Sequence, residues 1–184
     1  MHKQNRGYVC IGAAITEKVL LNMDLNLAST ECFLCQLQVG KIPLPGGTIY
    51  EDDLVYVGHI RPDSQATTYL GCLIAQLKRH VPGLAEQTDE EARALGLVVA
   101  RLARALKTCE GAEHIYSFVI GHGFPHLHIR VVPRYPGAPK EYWGTSVDLW
   151  PDAPRGGSRD IEKLCERLRH WLNNNGNDPS NSNR

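Results

Sequence analysis

At 184 residues, with 42% hydrophobic and 22% charged residues, the chain is long enough for one domain with its own core plus extensions. Twenty Lys and Arg balance twenty Asp and Glu, so no basic excess points to nucleic acid, and a small anionic ligand needs only a local positive site. Apolar runs are short and interrupted, which argues against a membrane span. Six scattered cysteines with a single close pair do not make a disulfide framework, and a reducing, cytoplasmic setting is expected.

Residues 1–30 do not pattern with the rest of the chain, although 19–27 has a helical look, and they are read as an N-terminal extension. The main domain is expected over 31–136. Residues 40–47 hold two prolines and three glycines and read as a loop. Residues 48–60 read as two short strands around a turn at 51–53, with Val55 and Val57 on one face and Tyr56 on the other. A second loop over 61–67 leads to a strand predicted over 69–78.

The clearest element is a helix over 88–107. Thr88 with Glu91 three residues on forms a capping box, Leu95, Leu97, Val98, Leu102 and Leu106 recur near helical spacing, and Gly111 lies just past the end. Next come a strand over 114–120, a turn at Gly121, Gly123 and Pro125, and a strand over 127–132 stopped by Pro133. Residues 137–158 lie in a Pro/Gly-rich loop carrying Tyr142, Trp143 and Trp150, expected to wrap the surface, with the aromatics packed on the domain. Within it, Arg155, Gly156, Gly157 and Ser158 resemble a small anion-binding turn, with Ser158 equally suited to capping a helix. A last helix spans 159–172, with Ile161, Leu164, Cys165, Leu168 and Leu172 on one face, and the Asn-rich tail over 173–184 reads as disordered. Strands around one long helix give an α+β domain with a mostly antiparallel sheet.

The chemistry concentrates in residues 121–134. Side chains alternate along a strand, so His126, His128 and Arg130 share one face while Leu127, Ile129 and Val131 share the other, where they can pack on the helix. Two histidines and an arginine in register, beside a Gly-rich turn holding His122, point to polar chemistry more than to surface decoration. Cys32 and Cys35 have the spacing of half a zinc site; the alternative is a pair of free cysteines packed on a short helix.

His126-Leu127-His128-Ile129-Arg130-Val131-Val132, with Pro133-Arg134-Tyr135 after it, resembles the signature of the histidine triad (HIT) family. Gly121-His122-Gly123-Phe124-Pro125 is similar to the family's preceding turn, with histidine where glutamine is usual. Cys32-Phe33-Leu34-Cys35, Ile49-Tyr50-Glu51-Asp52, and Lys78-Arg79-His80-Val81 with Thr88-Asp89-Glu90-Glu91 resemble its other landmarks in order. The resemblance implies an HIT-like fold: an antiparallel sheet of about five strands, one long central helix and an extra C-terminal helix. It implies that His128 attacks the α-phosphate of a nucleotide, giving a hydrolase or nucleotidyl transferase that works on dinucleoside polyphosphates or nucleotide phosphoramidates. The alternative is a catalytically weak nucleotide- or phosphate-binding module on the same fold.

The departures are informative. Arg130 replaces the third histidine; it can hold phosphate oxygens but not shuttle protons, and His122 is the candidate to supply a proton or to replace glutamine. No acidic residue follows the second strand before Asp63, so His59 is the candidate for the ribose, with Gly123 and Arg134 beside the phosphates. By resemblance, His80 and His126 complete a structural zinc site with Cys32 and Cys35. A homodimer is implied, compatible with apolar residues on more than one side of the helix, such as Ala92, Leu97 and Val99.

Overall fold

The computed structural model describes residues 32–62, 66–121 and 123–175. The helix expected at 19–27, the turn histidine His122 and the end of the tail lie outside them. In chain order the elements are helix α1 (Phe33–Gln38), strands β1 (Thr48–Glu51), β2 (Val55–His59), β3 (Thr68–Tyr69) and β4 (Leu73–Leu77), and helix α2 (Asp89–Glu110). Strands β5 (His114–Phe118), β6 (His128–Arg134) and β7 (Arg155–Gly156) and helix α3 (Ser158–Asn175) complete them.

Five strands form one antiparallel sheet in the order β1-β2-β4-β6-β5. The expected α+β architecture, with a five-stranded sheet, a long helix and a C-terminal helix, is what the chain builds. Both long helices cover one sheet face. Val55, Val57, Leu73, Ala75, Leu77, Leu127 and Val131 point at them and meet Leu95, Val98, Leu102 and Leu106 of α2 and Ile161, Leu164 and Leu168 of α3. Each fully buried leucine there contributes about 1.5–3 kcal/mol. The opposite sheet face carries Tyr56, Gly58, Ile74, Gln76, His128 and Arg130 and is left for function. No helix among the described residues is long and apolar enough to cross a membrane.

Helix α2 starts where the capping box puts it. The Thr88 hydroxyl accepts from the Glu91 N–H at 3.2 Å and the Glu91 carboxylate accepts from the Thr88 N–H at 2.7 Å. It ends at Gly111, whose φ of +69° is a left-handed cap that a side chain would disfavour. Leu97, counted with the apolar face in sequence, instead points to solvent at 49% exposure, because position 97 falls outside the arc set by Leu95, Val98 and Leu102.

Three sequence expectations need correction. The strand predicted over 69–78 is split: Tyr69 pairs with Arg155 in a separate two-stranded ribbon, Gly71 turns the chain at φ +81°, and only Leu73–Leu77 joins the main sheet. Pro133 does not stop its strand. Its carbonyl accepts from the Tyr69 hydroxyl at 2.7 Å, on the side where β4 has already ended at Leu73, so the missing N–H costs no ladder bond. The segment 137–158 is more than a loop, since it contains two 3-10 turns (Lys140–Tyr142 and Gly144–Leu149) and β7, and it lays Val147, Trp150 and Ala153 on Tyr69, Val132 and Tyr135.

Candidate functional site

Strand β6 is an inner strand of the sheet, between the central β4 and the edge strand β5. Gln76 of β4 lies opposite His128, and Ile74 and Phe118 flank Arg130 on either side. The alternation expected from sequence holds: Leu127 and Val131 enter the helix-side core, while His128 and Arg130 sit on the other face.

The ring of His128 is oriented by the chain itself. Its Nδ1–H donates to the carbonyl of His126 at 2.7 Å, which leaves Nε2 as the ring's lone-pair nitrogen. Burial holds its pKa below the ordinary imidazole value, and the Arg130 charge lowers it further. A neutral imidazole with one nitrogen fixed and the other free is a nucleophile ready for use.

Arg130 reaches along the same face. Its Nη2 donates to the Cys72 sulfur at 3.1 Å, and its Nε is buried with no partner among the described residues. A guanidinium partly desolvated and under-satisfied in this way is suited to an incoming anion.

Beside His128, whose cross-strand neighbour Gln76 is on its lining, the same face opens into a cleft continuous with solvent and lined by Phe33 and Leu37 of α1, Leu44, Tyr56, Gly58 and Ile74, with Arg61 and the expected His59 also on it. Phe33 is stacked on Phe124 of the turn before β6, with ring centroids 5.3 Å apart. The lining of the cleft is mostly apolar, the character of a slot for a flat ring system. Sequence reasoning missed Phe33, Leu44, Gln76 and Arg61. The one available signal was Gly58 in the middle of a strand, which marks a close approach; a Cβ there would lie 2.5 Å from Leu44 Cδ1.

At the entry to β6, where α1 packs on the same sheet face, lies a second constellation. Cys32 and Cys35 at α1, His80 after β4 and His126 before β6 bring their ligand atoms within 4.8 Å of one another. His126 Nε2–H donates to the Leu77 carbonyl at 2.7 Å, which also accepts from Gln38 Nε2 at 2.9 Å. His126 Nδ1 is thereby turned to the Cys32 and Cys35 sulfurs, at 3.5 and 3.4 Å, and His80 Nδ1 lies 3.4 Å from Cys35. Tetrahedral zinc with its usual bond lengths places sulfur and nitrogen ligands about 3.6 Å apart, so the donor set fits that ion. Burial, then the adjacent Cys32, pushes the Cys35 thiol up to about 12, a state that a cation would relieve. Burial lowers both imidazoles, His126 to about 4, so both are in the neutral form that binds metal. Four protein ligands leave no open position, which makes such a site structural.

The structure does not bring every expected residue to His128. His59 is 1% exposed, its Nδ1–H donates to the Ile60 carbonyl at 2.5 Å, and its Nε2 accepts from the Gly71 N–H at 2.9 Å. His59 does line the cleft, but with both ring nitrogens bonded to backbone and its pKa lowered to about 4 by burial, it has no ring nitrogen left for a ribose. Arg134 sits six residues along the strand from His128, about 20 Å at strand rise. There it pairs with Glu113 at 3.3 Å and lies 3.8 Å from the Trp143 ring centroid. Gly123 is partly buried in the turn before β6. The turn at Arg155–Gly156 is filled by the chain's own acid: the Gly157 N–H donates to Asp160 at 3.1 Å, and the helix starts at Ser158 rather than being capped by it.

No family model matches the chain, and no curated protein matches it in sequence. Solved structures do match. A Hit-like protein involved in cell-cycle regulation from Bartonella henselae aligns with a TM-score of 0.60 at 19% identity, over 78% of this chain and 97% of that one. A zinc-bound histidine triad family protein from Mycobacterium smegmatis aligns at 0.59 and 22% identity, over 79% and 98%. The diadenosine triphosphate hydrolase of Plasmodium falciparum aligns at 0.54 and 11% identity, over 73% and 81%. The fold of this chain is therefore that of histidine triad proteins.

Proposed function

We propose that the protein is a nucleotide phosphate hydrolase or nucleotidyl transferase of the histidine triad type, with His128 as nucleophile. The observation that carries this is the His128 ring: Nδ1–H is tied to the His126 carbonyl, which leaves the Nε2 lone pair as its nucleophilic atom, and its cross-strand neighbour Gln76 lines the cleft. We assign the nucleoside to the cleft formed by Phe33, Leu44, Tyr56 and Ile74, with its α-phosphate toward the strand. The Nε2 lone pair forms a P–N bond, and the bond to the group beyond the α-phosphate breaks with its electron pair. Water or another acceptor then attacks phosphorus, and the P–N pair returns to the imidazole. The presence of a diadenosine triphosphate hydrolase among proteins of this fold supports dinucleoside polyphosphates as substrates.

Zinc is the metal we assign to Cys32, Cys35, His80 and His126, supported by the donor set and by a zinc-bound protein of the same fold. Held by these four side chains, the ion would link α1, the loop after β4 and the start of β6. His126 acts through its carbonyl on His128 while its ring serves the metal cluster. The edge strand β5, with His114 and Ser117 exposed and no partner on its outer side among the described residues, is the surface we assign to a homodimer. Five free cysteines among the described residues support a reducing, cytoplasmic setting.

Arg130, drawn toward Cys72, favours one other reading, a binding module with weak turnover. Incubation with dinucleoside polyphosphates and nucleotide phosphoramidates, beside His128→Ala, decides between them. Products formed by the wild type and lost in the variant support the enzyme. Equal binding with no turnover in either supports the module.

A further inference from the structure

The third position of the triad strand is filled by Arg130, and among the described residues, which do not include His122, the surroundings offer no free imidazole in its stead. Among the described residues near this face, His126 gives its N–H to the Leu77 carbonyl and His59 gives its own to the Ile60 carbonyl. His80 faces Cys35 in the metal cluster. His114 lies at the other end of β5, opposite Arg134 and edge-on to Tyr116. The two buried tyrosines beyond Arg130 are committed as well, Tyr69 to the Pro133 carbonyl and Tyr135 to the Leu70 carbonyl. An arginine binds anions but gives up no proton in the working range of an enzyme.

Resting on the proposed His128 chemistry, we infer that Arg130 restricts the site to substrates whose departing group leaves as a phosphate oxyanion, and selects against those that leave as amines. When Nε2 bonds to phosphorus, the bridging P–O bond breaks and the electron pair stays on oxygen. The product, a phosphate or a nucleotide with a terminal phosphate, is stable without a proton, since the second phosphate pKa is about 6. The Arg130 guanidinium, whose buried Nε has no partner among the described residues, stabilises negative charge on phosphate oxygens as it builds up. In a phosphoramidate the P–N bond breaks instead. The nitrogen departs only after receiving a proton, and a guanidinium supplies none. The substrate class is thus the nucleoside and dinucleoside polyphosphates. In the second half-reaction water attacks phosphorus, the P–Nε2 bond breaks with its pair returning to a neutral imidazole that keeps its Nδ1 proton, and the proton lost from water passes to solvent.

The test is kcat/KM on diadenosine tetraphosphate, on adenosine 5′-phosphoramidate and on a series of AMP aryl esters with phenols of graded acidity. General acid catalysis is worth about 10²–10⁴ in rate, so the wild type is expected to cleave the phosphoramidate at least about 100-fold less efficiently than the tetraphosphate, and its rates on the esters fall steeply as the phenol becomes less acidic. Arg130→His is expected to narrow the gap between the two substrates at least about tenfold and to flatten the ester series. A merely structural role for Arg130 would lower all rates together and leave the slope unchanged. A wild type that cleaves phosphoramidate as fast as tetraphosphate, or with a flat ester series, overturns the inference while leaving His128 in place. If Arg130→His does not fold, the wild-type series alone decides. No turnover of any substrate, with His128→Ala indistinguishable from wild type, instead overturns the His128 reading beneath it.

Discussion

Glu91 offers a stringent check on how the helix start and the metal cluster are joined. Its carboxylate takes Arg79 through Nε at 2.8 Å and Nη2 at 2.7 Å, and it also accepts from the Thr88 N–H at 2.7 Å. The Arg79 hydrogen bonds chiefly, with the Thr88 N–H adding, lower its pKa from 4.5 to about 2. Glu91→Gln keeps a side-chain acceptor for the Thr88 N–H but removes the charge. Because the Arg79 side chain is half exposed, that loss costs about 1 kcal/mol or less. Glu91→Ala also strips half the capping box, for a total of about 2 kcal/mol. At about 2–4 °C per kcal/mol for a domain of this size, Glu91→Ala melts about 4–8 °C early. A carboxylate with a depressed folded-state pKa stabilises fully above its unfolded value and loses that contribution as pH falls through the folded one. The wild type's advantage over Glu91→Gln in urea unfolding is therefore constant from neutral pH down to about 4.5, shrinks below that, and vanishes near 2. An advantage already gone at about pH 4 would refute the reasoning, since it would show Glu91 titrating as an unpaired acid. Arg79 precedes His80, so Glu91→Ala should also weaken metal retention while Glu91→Gln does so less.

Three further outcomes rest on the same geometry. His59→Ala leaves the buried Gly71 N–H without its acceptor and should cost at least about 1–3 kcal/mol in urea unfolding with KM for nucleotide unchanged; an altered KM at unchanged stability would return His59 to the substrate site. Gly58→Val pushes Leu44 across the cleft, and calorimetry should show nucleoside monophosphate binding weakened tenfold or more while overpacking costs about 1–3 kcal/mol; unimpaired binding would place the nucleoside elsewhere. Cys35→Ser should reduce zinc from about one per chain, read by elemental analysis, and should make the melting temperature indifferent to chelator.

What the sequence disclosed was what depends on local order. The capping box at Thr88 and Glu91, the alternation along 126–131, and the Cys32–Cys35 spacing are short-range patterns, and the corresponding elements stand where expected. What it hid depends on partners distant in the chain. Pro133 stays in a strand because β4 ends early opposite it. Residues 68–69 leave the main sheet because 155–156 offer them a different neighbour. His59 looked like a binding residue because its type suits one, yet the Gly71 N–H claims its ring. The cleft was illegible for the same reason: Phe33, Leu44, Tyr56 and Ile74 come from four separate segments and carry no shared motif.

The most direct measurement of the central idea is intact-protein mass spectrometry after rapid acid-free quenching of a reaction with a dinucleoside polyphosphate. A transient adduct of one nucleoside monophosphate, mapped to the His128 peptide, labile to acid and absent from His128→Ala, is the predicted result. Turnover at full rate by His128→Ala, or an adduct on any other side chain, would contradict it.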